Sequence, residues 1–301
     1  MLKTFTPFTL RGDVSLSALE TIAQALSFAP CEPGEESSQG WVPPRGIAHG
    51  ALVEQVGDYY VMQLMTETKA VPGDVLTRAV DAWVAAVEAE HGRKPGKRER
   101  RDRREDERLN LLPTAFPRRS AVLALIERGS PARVLIGSSS PARVTDVAVA
   151  LSGDRQIKAL PRATQKPLQA LLSASLWADD GEPSFSDLSL GRSATLVGGE
   201  PGARSRIRFD NLPLSTEEVR EHLTLMAVDK LEMGWRGEIA FTLADNGRWS
   251  SIHYLAGLLE RRSTDEAADA FDANIALTAP ALFGALDAVE GWLGGLQVEE
   301  P

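Results

Sequence analysis

Apolar Phe5, Phe8 and Leu10 set among threonines give residues 3–10 strand character. Leu19, Ile22, Ala23 and Leu26 then recur at three- and four-residue spacing, which sets them on one face of a helix opened by the capping box Ser17-Ala-Leu-Glu20. Residues 30–50 contain Pro33-Gly34 and Trp41-Val-Pro-Pro44. Prolines remove backbone donors and restrict the residues before them, so this stretch is expected to be an ordered loop. Residues 51–56 and 59–66 are strand-like runs hinged at Gly57-Asp58, and Pro72-Gly-Asp74 starts a helix through Leu76, Ala79, Val80, Trp83 and Val87.

After that helix the apolar pattern stops. Residues 93–108, broken near their start by Pro95-Gly96, are too charged to enter a core and read as a helix or an arm leading to Leu111-Leu-Pro-Thr-Ala-Phe116. Beyond it, residues 121–127 and 133–137 flank Arg128-Gly-Ser-Pro131 as a second hairpin, followed by helices over residues 141–151 and 166–177. The turn-rich stretch 178–202, with Asp179-Asp-Gly-Glu182 and Gly198-Gly-Glu-Pro-Gly202, brackets short strands, and residues 204–209 form another. Ser215-Thr-Glu-Glu218 is a capping box for a helix to about Lys230. Residues 238–243 and 249–254 flank the hairpin signal Asp245-Asn-Gly247. A closing strand over 270–279 and a closing helix over 280–293, ended by Gly294-Gly295, complete the reading. Hairpins alternating with helices specify an α+β fold with mainly antiparallel sheets and flanking helices. The expected segments are 1–72, 73–120 (the charged helical segment), 121–203 and 204–301. No repeat of fixed period is present.

Composition sharpens this picture in two places. Of the 301 residues 43% are hydrophobic and 25% charged, which fits a folded chain and not a disordered one. The net charge is −9, which taken as an average opposes a polyanionic partner. The average hides an asymmetry: between Arg93 and Arg119, 11 Lys and Arg face 5 Asp and Glu, a local +6 that leaves −15 for the remainder. One cysteine, Cys31, excludes an intrachain disulfide, and four scattered histidines offer no Cys/His metal cluster. Residues 1–11 hold one Lys and no long apolar run, and no run of about 18 apolar residues occurs, so a cytoplasmic protein with no membrane partner is expected.

Candidate chemistry is sparse. Neither a phosphate-binding GxxxxGK[ST] loop nor GxGxxG occurs, and GxSxG and HExxH are absent. His49, His91, His222 and His253 are isolated in sequence, and Gly198-Gly-Glu-Pro-Gly202 is a turn in which Pro201 removes a donor. Asp58 followed by Glu67-Thr-Lys69 imitates the acidic-x-Lys arrangement of metal-dependent nucleases, although a Lys closing a strand is explained as solvated edge charge. The basic window is the stronger feature. Lys94, Lys97, Arg98, Arg100, Arg101, Arg103, Arg104 and Arg108 suit contact with phosphates, where protein charge replaces condensed counterions. Interleaved Glu99, Asp102, Glu105, Asp106 and Glu107 equally suit a solvated helix laced by i,i+3 and i,i+4 ion pairs. No motif for sequence-specific readout accompanies it.

Five landmarks in order carry a resemblance over nearly the whole chain: Phe28-Ala-Pro-Cys31, Gly40-Trp-Val-Pro-Pro44, Leu111-Leu-Pro-Thr-Ala-Phe116, residues 231–241 with Gly234-Trp235, and Phe271-Asp-Ala-Asn274 with Gly294-Gly295. In these the chain resembles the RdgC family of recombination-associated proteins. The resemblance implies a curved subunit with centre and tip regions. It implies a ring-shaped homodimer with a basic lining that encircles duplex DNA without sequence preference. It further implies a nucleoid-associated, non-enzymatic role that limits access of RecA to DNA, with no cofactor and with single-stranded DNA as a second substrate. Phe116 matches the family aromatic at a contact between subunits, and Arg118 and Arg119 beside it would reach DNA or the partner subunit. Where the family has a basic residue and Gln before its Asp-Leu-Thr-Ser-Glu-Glu helix start, this chain has Phe209-Asp-Asn-Leu-Pro-Leu214. That departure shifts the expected DNA contact toward Arg204, Arg206 and Arg208. Two other function classes are set against this one: a metal-dependent nuclease, and an interaction scaffold without DNA affinity.

Overall fold

The computed structural model describes residues 1–46, 50–153, 157–162, 166–177, 187–199, 204–259 and 270–295. In chain order the elements are β1 (Thr6–Gly12), α1 (Leu16–Ala25), β2 (Ser37–Val42), β3 (Val53–Val56), β4 (Tyr59–Lys69), α2 (Gly73–His91), α3 (Lys97–Leu111), β5 (Pro117–Glu127), β6 (Ala132–Ile136), α4 (Pro141–Ser152), β7 (Ile157–Pro161), α5 (Leu168–Trp177), β8 (Leu188–Gly198), β9 (Ser205–Phe209), α6 (Glu217–Leu223), β10 (Met226–Trp235), β11 (Ile239–Ala244), β12 (Trp249–Tyr254), α7 (Ala256–Leu259) and α8 (Ala270–Trp292). The fold is α+β, with two antiparallel sheets and flanking helices. The chain divides into two compact units, a larger one of Met1–Ile22, Pro43–Met62 and Val122–Pro301, and a smaller one of Ala23–Val42 and Gln63–Ala121.

In the larger unit one sheet runs β5-β6-β1-β7, with Thr6 opposite Ile136 and Phe8 opposite Pro161, while β3 pairs with the first residues of β4 across a turn whose Gly57 has φ 58°. A second sheet, β12-β11-β10-β8-β9, places Leu196, Leu231, Met233, Phe241, Leu243 and Trp249 in the core. Phe5 stacks on Trp249 at 5.0 Å and Trp249 on Phe241 at 4.0 Å. Phe5 and Trp249 also exchange both backbone hydrogen bonds, at 2.9 and 2.8 Å. Helix α8 completes this core through Ile275, Ala279, Leu282, Phe283, Leu286 and Val289, with Gly284 lying so close to Trp235 that any Cβ there would meet the indole at 2.8 Å.

In the smaller unit β2 pairs with the second half of β4, Trp41 opposite Leu64 and Val42 opposite Gln63. This strand lies inside the stretch expected to be loop. Its register is fixed by Gly40, whose missing side chain lets the backbone of Phe28 approach to where a Cβ would sit 2.5 Å away, and by Trp41, which is fully buried. Packing overrides the local turn signals of its neighbouring prolines.

Four further expectations need correction. Residues 270–279 are not a strand: α8 runs through Pro280, and although the proline denies Ala276 its hydrogen bond, the three- and four-residue spacing of buried side chains holds the helix together. The helix expected from a capping box at Ser215 spans only Glu217–Leu223, with Thr216 at its N-cap and no side-chain cap bond, and residues 226–235 form β10, paired on both sides by β8 and β11. At the N-terminus the cap falls on Ser15, whose hydroxyl accepts from the Ala18 N–H at 3.3 Å, and not on Ser17. Residues 188–198 are one eleven-residue strand instead of several short ones. Asp179-Asp-Gly-Glu182 and most of Gly198-Gly-Glu-Pro-Gly202 lie outside the described residues, as does His49.

Because Trp249 joins the chain's first residues to its last hairpin, Trp249→Ala removes two ring contacts and leaves a cavity. The expected cost is about 3–5 kcal/mol, read as a fall in the midpoint of denaturant unfolding with far-UV circular dichroism retained in the folded baseline.

Candidate nucleic-acid interface

Helix α2 buries Leu76 and Val80 and ends at Gly92, whose φ of 66° and N–H to the Glu88 carbonyl form a left-handed cap. Five residues later the chain re-enters helix as α3, which buries none of its side chains. Two devices start and hold α3. Glu99 reaches back to accept the Gly96 N–H at 2.7 Å and pairs with Arg93 at 2.8 Å, so the Arg93 guanidinium, and after it the Gly96 amide, pull its carboxyl down to about 2. Across the hairpin Arg103 lies over the Trp83 ring at 5.8 Å, and Arg104 donates to the Thr77 hydroxyl at 3.2 Å. Leu112, almost wholly buried, anchors the far end.

The charges along α3 fall into two groups. Arg93, Arg103 and Arg108 are matched by Glu99, Glu107 and Glu105, and Lys94 stands 3.7 Å from Glu88. Arg98 meets Asp102 at 3.8 Å, a loose pair in open solvent. By contrast Lys97, Arg101 and Arg118 are exposed and have no ion-pair partner among the described residues. Arg100 and Arg104 spend their donors on neutral acceptors, the Pro95 carbonyl and Thr77, so their charge is also uncompensated. Lys97 and Arg101 stand one turn apart on the same helix face, with Arg104 three residues further. The ion-paired reading of the window is therefore realised on one group of residues, while the other group keeps its charge exposed and unpaired.

Phe116 follows in an extended segment and is 91% exposed, so it is not a core residue. Arg119, three residues on, stays half-exposed but covers a buried carboxylate: it pairs at 2.6 Å with Glu67 and lies over the Phe28 ring at 5.6 Å. The other Glu67 oxygen accepts the Cys31 N–H at 2.8 Å, the Cys31 thiol donates to the Glu67 carbonyl, and Lys69 donates to the carbonyls of Cys31 and Glu32. The Arg119 hydrogen bond, and next the Cys31 amide, hold the Glu67 carboxyl below the usual carboxylate range. Glu67 and Lys69, which imitate a nuclease motif in sequence, are thus both engaged in a structural network. Among the described residues no group of three or more His, Cys, Asp or Glu is placed to hold a metal. Sequence reasoning missed this network because its partners lie 36 and 52 residues apart.

On the larger unit, Arg206 and Arg208 project from one face of β9, Arg206 3.8 Å from Asp229 and Arg208 2.8 Å from Asp210. No helix is long and apolar enough to cross a membrane among the described residues.

The chain is thus α+β and of net negative charge, and its exposed helical hairpin displays unpaired cations among the described residues. The family comparison agrees with a role in nucleic-acid transactions. A family model described as "Putative exonuclease, RdgC" matches residues 1–296, and the chain belongs to the RdgC family. It is similar to proteins named "Recombination-associated protein RdgC" from Sodalis glossinidius (26% identical, covering 94% of this chain and 93% of that protein), Aeromonas hydrophila (28%, 94% and 96%) and Salmonella typhimurium (25%, 96% and 96%).

The Glu67–Arg119 pair carries a pH signature. A carboxyl lowered in the folded state stabilises fully above its unfolded pKa, and that contribution is lost as pH falls through the lowered native value. Glu67→Gln is expected to melt below the wild type at neutral pH, with the gap closing on acidification through the carboxylate range. Thermal melts over that range check both points.

Proposed function

We propose that this chain is a non-enzymatic DNA-binding protein that grips the phosphate backbone without sequence preference, and that two copies close as a ring around duplex DNA and restrict the access of RecA. The observation that carries the reading is the set of uncompensated cations at Lys97, Arg100, Arg101, Arg104 and Arg118 on a chain that is otherwise strongly acidic. Each phosphate neutralised there releases counterions, so affinity is steeply salt-dependent. Lys94 and Arg98 add to the ledge when a phosphate displaces their loose carboxylate partners, and Arg206 and Arg208 offer contacts on the larger unit. Membership of a family whose relatives are named for recombination supports the role, and nucleoid association follows from it. Phe116, an exposed aromatic beside Pro117, is the anchor for the second copy.

The family description names an exonuclease, so a metal-dependent nuclease stands as the second reading. Incubation of end-labelled duplex DNA with the protein and Mg²⁺ or Mn²⁺ separates the two, intact label being the expected result and progressive metal-dependent release the outcome that replaces the proposal.

Binding to random-sequence duplex DNA, titrated with salt, tests the main reading. Lys97→Gln, Arg101→Gln and Arg118→Gln together are expected to make the slope of log affinity against log salt shallower by about 0.9 for each lost phosphate contact. Arg103→Gln, which removes a cation already paired with Glu107, leaves the slope unchanged. Absence of wild-type binding at low salt would sink the proposal in favour of a scaffold without DNA affinity. Phe116→Ala is expected to shift the protein toward monomer in sedimentation velocity.

A further inference from the structure

The outer face of the second sheet carries a groove of about 210 Å³ lined by Ser193, Thr195, Arg208, Lys230, Thr242, Ser250 and Ser251. Its composition is unusual for a solvated sheet face: five hydroxyls and two cations with no carboxylate among the lining residues. Thr195 on β8 lies directly opposite Arg208 on β9 and Lys230 on β10, and Thr242 on β11 lies opposite Ser250 on β12. Among the described residues the hydroxyls of Ser193, Thr195, Thr242 and Ser251 have no hydrogen-bond partner, and Lys230 has no ion pair. Ser250 donates weakly, at 3.5 Å, to the Thr242 carbonyl, and Arg208 is held by Asp210 at the groove's edge.

Two irregularities create this arrangement. Val228 faces the core opposite Leu196, and a residue two further along an unbroken strand would face the core as well. The register shift between Val228 and Lys230 inserts Asp229 as an extra residue, which turns Lys230 outward to stand opposite Thr195. On β12 Trp249 and Ile252 are both buried although three residues apart, because Ser251 takes a φ of 50° where the register with β11 is interrupted. That positive φ lets the adjacent Ser250 and Ser251 line the same groove. A left-handed conformation at a serine costs stability, and bulges characteristically re-aim side chains at binding sites.

We infer that this groove seats a backbone phosphate of DNA, with Lys230 and Arg208 supplying charge and Thr195, Thr242 and the paired serines supplying hydrogen bonds. The seat rests on the DNA-binding reading above, and charge complementarity selects its occupant. Arg206, two residues before Arg208 on the same face of β9, extends the positive edge beyond the groove. Hydroxyls add hydrogen bonds to phosphate without releasing counterions, so the two kinds of residue leave different marks on salt dependence.

The experiment measures binding of the full chain to random-sequence duplex DNA across a salt series, for wild type, Lys230→Gln, and the double variant Thr195→Val with Thr242→Val. All three substitutions lie on the solvent face, and unchanged melting temperatures certify the fold. Lys230→Gln is expected to weaken binding several-fold at low salt and to flatten the slope by about 0.9. The threonine pair is expected to weaken binding several-fold with the slope unaltered. Wild-type affinity and slope in both variants, while wild type itself binds, overturn the seat and leave the DNA reading standing. Wild type that binds no DNA overturns the DNA reading, and the seat with it. If Lys230→Gln weakens direct binding of inorganic phosphate, read by calorimetry, and leaves DNA binding unchanged, the groove holds a free anion and the assignment to a DNA phosphate is overturned.

Discussion

The larger unit depends on the bridge between Phe5 and Trp249. One pair of residues there supplies two backbone hydrogen bonds and a ring stack, and Phe241 extends the stack into the second sheet. The residue before β1 is thereby tied to β12, so the two sheets of this unit share one apolar core instead of burying separate and smaller ones. Once β12 is fixed in this way its inward positions are set by Trp249 and Ile252, and the irregular Ser251 between them has to be accommodated on the outer face. Core packing and the polar face of the sheet are two sides of the same constraint.

In the smaller unit charge, and not apolar burial, organises the surface. Helix α3 buries nothing, so it is held by caps, by contacts of Arg103 and Arg104 with α2, and by Leu112 at its end. Carboxylates neutralise one group of arginines and leave the other group free. The division follows from competition and spacing: Glu105, one turn from both Arg101 and Arg108, is taken by Arg108, and Lys97 has no carboxylate three or four residues away. A strongly charged helix of this kind keeps its shape through its pairs and leaves the remaining cations exposed to solvent.

Features set by local chemistry were legible in the sequence. The Gly57-Asp58 and Asp245-Asn-Gly247 turns, the amphipathic spacing of α2 and α5, and the density of charge in α3 all depend on neighbours within a few residues. What escaped was decided by distant packing. β2 exists because Gly40 admits the Phe28 backbone, α8 continues through Pro280 because its buried side chains outweigh one lost hydrogen bond, and β10 replaces a helix because two strands flank it. The same limit applied to the site. The number of cations was countable, but which of them were spent on carboxylates was not, and the pairing of Arg119 with Glu67 had no local sign. The recombination family was legible from ordered landmarks and agrees with the family comparison.

Cys31 is the only cysteine in the chain, and its thiol is buried beside the Glu67–Arg119 pair. A thiol in that position is shielded from reagents while the pair holds and meets them when this part of the smaller unit opens. The rate at which an alkylating probe is consumed therefore becomes a built-in clock for local opening at the base of the strand that leads from Phe116, needing no introduced label.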